Sequence, residues 1–126
     1  MDFQKIKITV MSQNLYDISD IQTISRGNND FLLKMLKMFI DYTPHNIKEM
    51  KEKYASKDLT GMGELAHSIK PTIDSMGIVS IKDTIREIEK MGKEKNDNEQ
   101  LPGLLEKVES VISNVVNAVK LDFKLA

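Results

Sequence analysis

His67 and Lys70 stand in the run Ala66-His67-Ser68-Ile69-Lys70-Pro71-Thr72-Ile73-Asp74-Ser75-Met76-Gly77, a spacing that puts an imidazole and an ammonium one turn apart on one helix surface. Around them Leu59, Met62, Leu65, Ala66, Ile69, Ile73 and Met76 recur every three or four residues, the period of a buried helix face. At about 100° per residue, His67 falls opposite the middle of that stripe. It is expected to face water, with Gly63, Glu64, Lys70, Pro71 and Asp74 on the same surface. An exposed imidazole can bind a metal, move a proton or act as a nucleophile.

The first two chemistries lack parts. A metal site needs three or four ligands at fixed spacing, and the chain has only two histidines, with no second one within a turn of His67 or His45. The Glu-x-x-His pair of a carboxylate-bridged bundle occurs once, at Glu64 and His67, and Tyr42 takes the glutamate's place before His45. Ser68 lies about 100° round the helix from His67, so the two do not face one reacting centre, and no third group orients a base. No glycine-rich phosphate loop is present. No cofactor and no resident metal are expected.

Nucleophilic attack by His67 itself remains. A pKa near neutrality leaves imidazole with a free nitrogen lone pair, and the N–P bond it forms with a phosphoryl group is labile enough to pass the group on. Lys70 can offset the charge of the phosphoryl oxygens. Gly63 is expected to leave the approach open one turn before His67. Pro71 has no N–H to return to the carbonyl of His67, which predicts a kink there or a helix ending near Lys70; Ile73 and Met76, which continue the stripe in phase, favour the kink.

These side chains need a frame, and the hydrophobic periodicity supplies helices. Ile18, Ile21 and Ile24 predict a short helix between Tyr16 and Ser25, capped by Asp17 or Ser19 and closed by Arg26-Gly27-Asn28. A long amphipathic stretch follows, with Asn29 or Asp30 as N-cap and Phe31, Leu32, Met35, Leu36, Met38, Phe39 and Tyr42 on one broad face. Met35, Met38 and Met50 read as core. Pro44 predicts either a kink or the start of a new helix before Ile47, Met50 and Tyr54. Asp58 or Thr60 starts the helix that carries His67, and Gly77 ends it. Ser80 is the expected cap of a helix bearing Ile81, Ile85, Ile88 and Met91, and the polar run from Gly92 to Asn98 reads as a loop. The last helix has the clearest period: Leu101, Leu104, Leu105, Val108, Val111, Ile112, Val115, Val116 and Val119.

An all-α domain follows, an antiparallel up-and-down four-helix bundle with a short extra N-terminal helix. Residues 1–12 form an N-terminal extension, either a short strand over Met1 to Val10 or an unstructured segment, and residues 13–126 form the bundle. At 126 residues there is room for one core. A net charge of −1 argues against general affinity for nucleic acid or anionic membranes. The absence of cysteine excludes disulfides and thiol chemistry. Short, charge-broken apolar runs leave no membrane span and no signal peptide, so a cytoplasmic monomer is expected.

The string Ala66-His67-Ser68-Ile69-Lys70, with Gly77 ten residues after the histidine, resembles the signature of the histidine-containing phosphotransfer (HPt) domain family. The Gly-Asn-Asn-Asp turn, Phe31 through Phe39, Ile88-Glu89 and Met91-Gly92-Lys93 fit the same family, so the likeness runs from about Tyr16 to Val119. The resemblance implies that His67 is phosphorylated, that Lys70 assists the phosphoryl group and that Glu89 and Lys93 lie across the bundle from it. It also implies receiver domains of response regulators and a hybrid sensor histidine kinase as partners, with Mg²⁺ and the acidic pocket on the receiver side. The docking surface would include Gly63, Glu64, Pro71 and Asp74. Pro71 departs from the family, where glycine is usual, and keeps open an alternative: a helical module that binds receivers or helices without phosphotransfer.

Overall fold

The computed structural model describes residues 15–125, so the readings made for Met1 to Val10 and for the 1–12 extension lie outside the described residues. Among the described residues five α-helices follow in order: α1 (Ser19–Ser25), α2 (Asn29–Ala55), α3 (Leu59–Ser75), α4 (Lys82–Lys93) and α5 (Leu101–Asp122). A single 3-10 turn, Val79–Ile81, precedes α4. Short links reverse the chain between successive long helices. α2 packs on α3, α3 on α4, α4 on α5, and α5 closes back on α2. This is the four-helix bundle expected from the sequence, with α1 as the extra N-terminal helix packed on α2.

The core is where the periodicity put it. Met62, Ala66, Ile69 and Ile73 of α3, Ile85 and Ile88 of α4, and Leu105, Val108, Ile112, Val115 and Val119 of α5 are all buried. Such burial contributes about 1.5–3 kcal/mol for each fully enclosed aliphatic side chain. Met50 is fully buried too, whereas Met38, Ile24, Phe31 and Tyr42 are exposed. The broad face expected for α2 is therefore narrower than its apolar residues suggest. Leu32, Leu36, Phe39, Thr43, Ile47 and Met50 fill the inward arc, and Met38 and Tyr42 sit on its shoulder.

Several boundaries differ from the sequence reading. The cap of α2 is Asn28, whose side chain accepts the Phe31 N–H at 3.1 Å, not Asn29 or Asp30. α1, Ser19–Ser25, lies within the expected span, but its cap position is Ile18, which makes no side-chain cap bond, and not Asp17 or Ser19; Asp17 accepts the Ser19 N–H at 2.8 Å. Pro44 starts no new helix, because α2 runs unbroken from Asn29 to Ala55. Pro71 does not end α3, which continues to Ser75, as the phase of Ile73 and Met76 implied. Both prolines face solvent, where water can satisfy the carbonyl that each ring leaves without a partner. Ser80 caps nothing: it lies in the 3-10 turn, and the position before α4 is Ile81.

The ends of α3 match the reading closely. Asp58 accepts the Gly61 N–H at 2.9 Å, which satisfies one of the first-turn donors a helix leaves unpaired. At the other end Gly77 adopts φ 61°. Its N–H donates to the Asp74 carbonyl and the Ile78 N–H donates to the Ile73 carbonyl, each at 3.1 Å. That pair of bonds is the left-handed helix stop for which glycine is best suited.

Candidate functional site

Three elements of local order bring the site together. The Asp58 cap and the Gly77 stop fix the register of α3, so His67 and Lys70 share the side of α3 that faces α4. α4 then presents Glu89 between them. Its side chain is only 7% exposed, while that of His67 is 66% exposed. His67 Nδ1 lies 2.5 Å from Glu89 Oε2, Lys70 Nζ 2.7 Å from Oε1, and Lys93 Nζ 3.4 Å from Oε2. One buried carboxylate therefore ties together every residue that the sequence had put forward for chemistry. Glu89 and Lys93, expected across the bundle from the histidine, stand on the adjacent helix α4, Glu89 against the ring and Lys93 beyond it and largely in solvent.

Electrostatics fix the state of this carboxyl group. The hydrogen bond from Lys70 pulls the Glu89 pKa down, burial opposes it, and the bonds from His67 and Lys93 add to the fall, leaving it at about 2. At neutral pH Glu89 is ionised and can only accept hydrogen bonds. The proton in its bond with the imidazole must then sit on Nδ1. In the neutral ring this leaves the lone pair on Nε2, which has no hydrogen-bond partner among the described residues. The ring is thus largely exposed and is held at Nδ1 by Glu89.

The other residues named for the surface fall into two groups. Glu64 and Pro71 are exposed as expected. Asp74 is exposed too but is engaged with Arg86 of α4, whose Nη2 is 2.7 Å from Asp74 Oδ2 and lowers the Asp74 pKa. Gly63 is a correction: it is buried against α4 instead of leaving an open approach. A Cβ on Gly63 would stand 2.9 Å from the Gly92 Cα, so the missing side chain is filled by the neighbouring backbone. Gly92 is likewise no loop residue but part of α4, which extends to Lys93. Together Thr60, Gly63, Glu64, His67, Gly92, Lys93 and Lys95 line a shallow depression beside the imidazole.

Arg86 and the Gly63–Gly92 contact were missed by sequence reasoning. The isoleucine period of α4 carried a usable signal, since it places Glu89 and Arg86 three residues apart on one flank of that helix. Its angular phase against α3 was the unknown. His45 is a surface residue of α2 with Glu49 3.9 Å away. Among the described residues no three His, Asp or Glu side chains are grouped so as to hold a metal ion, and no helix is long and apolar enough to cross a membrane.

No curated protein and no solved structure matches the chain. The family model of the Hpt domain matches residues 34–118, a stretch that takes in His67, Lys70, Glu89 and Lys93 as well as most of the bundle. With the bundle, the exposed imidazole and this match in agreement, the chain belongs to the Hpt domain family.

Proposed function

We propose that this protein is a phosphorelay intermediate in which His67 accepts a phosphoryl group from the aspartyl phosphate of one receiver domain and passes it to the aspartate of another. Hpt domains serve phosphotransfer in two-component signalling and are phosphocarriers, not enzymes. The observation that carries the assignment to His67 is the bond from Nδ1 to the ionised Glu89, which in the neutral ring leaves the lone pair on Nε2 of a side chain that is 66% exposed. In the forward step the Nε2 lone pair forms an N–P bond while the P–O bond to the donor aspartate breaks, and that aspartate leaves as a carboxylate. The ring gains positive character as the bond forms. Its Nδ1–H stays on Glu89, whose negative charge offsets that gain, as a buried acid does for a catalytic imidazole.

Lys70 and Lys93, both paired with Glu89 beside the ring, are the cations available to the phosphoryl oxygens. The receiver's acidic pocket and its Mg²⁺ provide the remaining machinery, and a hybrid sensor histidine kinase is the source of phosphate further upstream. Docking uses the exposed surface about His67, including Glu64, Pro71 and the Asp74–Arg86 pair, and it is weak because a relay must release each partner. Pro71, in place of the usual glycine, favours a second reading in which the module binds receivers without transfer. Incubation with a phosphorylated receiver separates the two. Label should appear on the wild-type chain as acid-labile phosphate and be absent from His67→Gln. If several receivers bind and none delivers label, the binding module is the correct reading.

A further inference from the structure

Gly63 and Gly92 approach one another more closely than any side chain would allow. A Cβ on Gly63 would lie 2.9 Å from the Gly92 Cα and 3.3 Å from the Glu89 carbonyl oxygen; one on Gly92 would lie 2.5 Å from the Gly63 Cα and 2.7 Å from the Leu59 carbonyl oxygen. Neither glycine has the positive φ that separates Gly27 and Gly77 from the rest. Backbone conformation therefore does not require glycine at these two positions, and space does. Gly103, by contrast, would place a Cβ in open space. Glycine weakens a helix interior relative to alanine, so two of them meeting at one crossing need a compensating use.

The crossing lies one turn from the site on each helix. Gly63 precedes His67 by four residues and Gly92 follows Glu89 by three, so each glycine shares a helix flank with a member of the hydrogen-bonded pair. Glu89 spans the interhelical gap to reach Nδ1 at 2.5 Å and Lys70 at 2.7 Å while remaining buried. We propose that the Gly63–Gly92 contact is a positioning device for His67: by letting the α3 and α4 backbones touch, it keeps Glu89 within reach of Nδ1 and so holds the imidazole as the Nδ1–H tautomer.

If the helices separate by the width of a methyl group, the carboxylate falls out of hydrogen-bond range of the ring. The neutral imidazole is then free to carry its proton on Nε2, which removes the outward lone pair. The consequence for transfer rests on the reading of His67 as the phosphoacceptor; the tautomer does not. A misplacement on the order of 1 Å is enough to cost tenfold or more in a positioned reaction.

The test is ¹⁵N-histidine NMR of the full chain at a pH where the ring is neutral, run on wild type, Gly63→Ala, Gly92→Ala, Glu89→Asp and, as a destabilised control at the opposite end of α5 from the link that follows Gly92, Val119→Ala. Wild type and Val119→Ala should show the Nδ1–H pattern for His67. Gly63→Ala and Gly92→Ala should lose it, and transfer from a phosphorylated receiver should fall by about tenfold or more. Glu89→Asp shortens the reach by one methylene without adding a Cβ, and it should give the same tautomer change even if both alanine variants fail to fold. Retention of the Nδ1–H pattern in a folded Gly63→Ala, or in Glu89→Asp, would overturn the proposal. The spectra use no phosphate donor. A chain that never takes label yet shows these tautomer changes refutes the relay reading alone, and one that takes label with an indifferent tautomer refutes the positioning role alone.

Discussion

Glu89 carries a full negative charge in a place that admits almost no water, because three donors converge on it: Lys70 on one oxygen, His67 and Lys93 on the other. Its folded pKa is depressed from 4.5 to about 2, chiefly by Lys70. The group therefore contributes stability above its unfolded value, and that contribution is lost as pH falls from 4.5 through about 2. Urea unfolding of wild type and Glu89→Gln across pH 7 to 2.5 reads this directly. The difference in unfolding free energy between the two should hold steady down to about pH 5 and then move against wild type as the carboxyl protonates. A difference that stays constant to the acid end would mean that Glu89 is not the group these donors stabilise. At this scale the site was only half legible in sequence. His67 and Lys70 could be paired because they share a helix and a fixed angular offset, whereas Glu89 and Lys93 entered through family likeness. Arg86, which holds Asp74 at 2.7 Å, belongs to a second helix whose rotation no local spacing encodes.

Helices were recognisable wherever an apolar stripe ran long, as from Leu101 to Val119, and misjudged wherever a punctuating residue was read without its packing. Gly92 looked like the start of a loop and is instead a contact surface inside α4. Pro44 was open to reading as the start of a new helix, yet like Pro71, past which the stripe already pointed to continuation, it is carried on the solvent side of an intact helix. Met38 and Tyr42 have the right period for α2 but lie too far round it to be covered. Each error has one cause: tertiary contact, not local preference, decides what a glycine, a proline or a methionine does in a given turn. Pro71 also bears on energetics. It withholds a donor from the His67 carbonyl in the middle of α3, an arrangement that costs a helix interior about 3 kcal/mol relative to alanine, offset by about 1 kcal/mol from the stiffer unfolded chain. Pro71→Ala should therefore raise the stability of the protein by about 2 kcal/mol, visible as a higher urea midpoint with an unchanged slope. A midpoint that stays put or falls would show that the ring itself packs usefully against α3.

Across the whole molecule, the site and the fastening of the N-terminal segment lie at different places along the bundle. His67, Lys70, Glu89 and the glycine crossing all belong to α3 and α4. The segment before α1 is tied to the C-terminal ends of α5 and α3, away from the crossing: the Tyr16 hydroxyl donates to Asp122 of α5 at 2.7 Å, and the Asp17 N–H donates to the carbonyl of Met76, which ends α3, at 2.8 Å. Burial of the Tyr16 ring, and then the Asp122 carboxylate, hold the phenolic proton in place, so this clasp persists wherever Asp122 is ionised. On the far flank Lys51 of α2 reaches Glu106 and Glu109 of α5 at 2.6 and 2.8 Å, with all three side chains partly in water, where such pairs contribute little. Stability and transfer should then be separable by mutation. Tyr16→Phe removes one hydroxyl and leaves the ring, so it should cost about 1 kcal/mol, the net worth of a single hydrogen bond, or somewhat more because its acceptor is charged. It should leave the Nδ1–H signature of His67 and the rate of phosphoryl transfer unchanged, because no member of the clasp touches the α3–α4 crossing. If Tyr16→Phe slows transfer in proportion to its loss of stability, the bundle positions His67 as one cooperative body, and the local α3–α4 account of the site is too narrow.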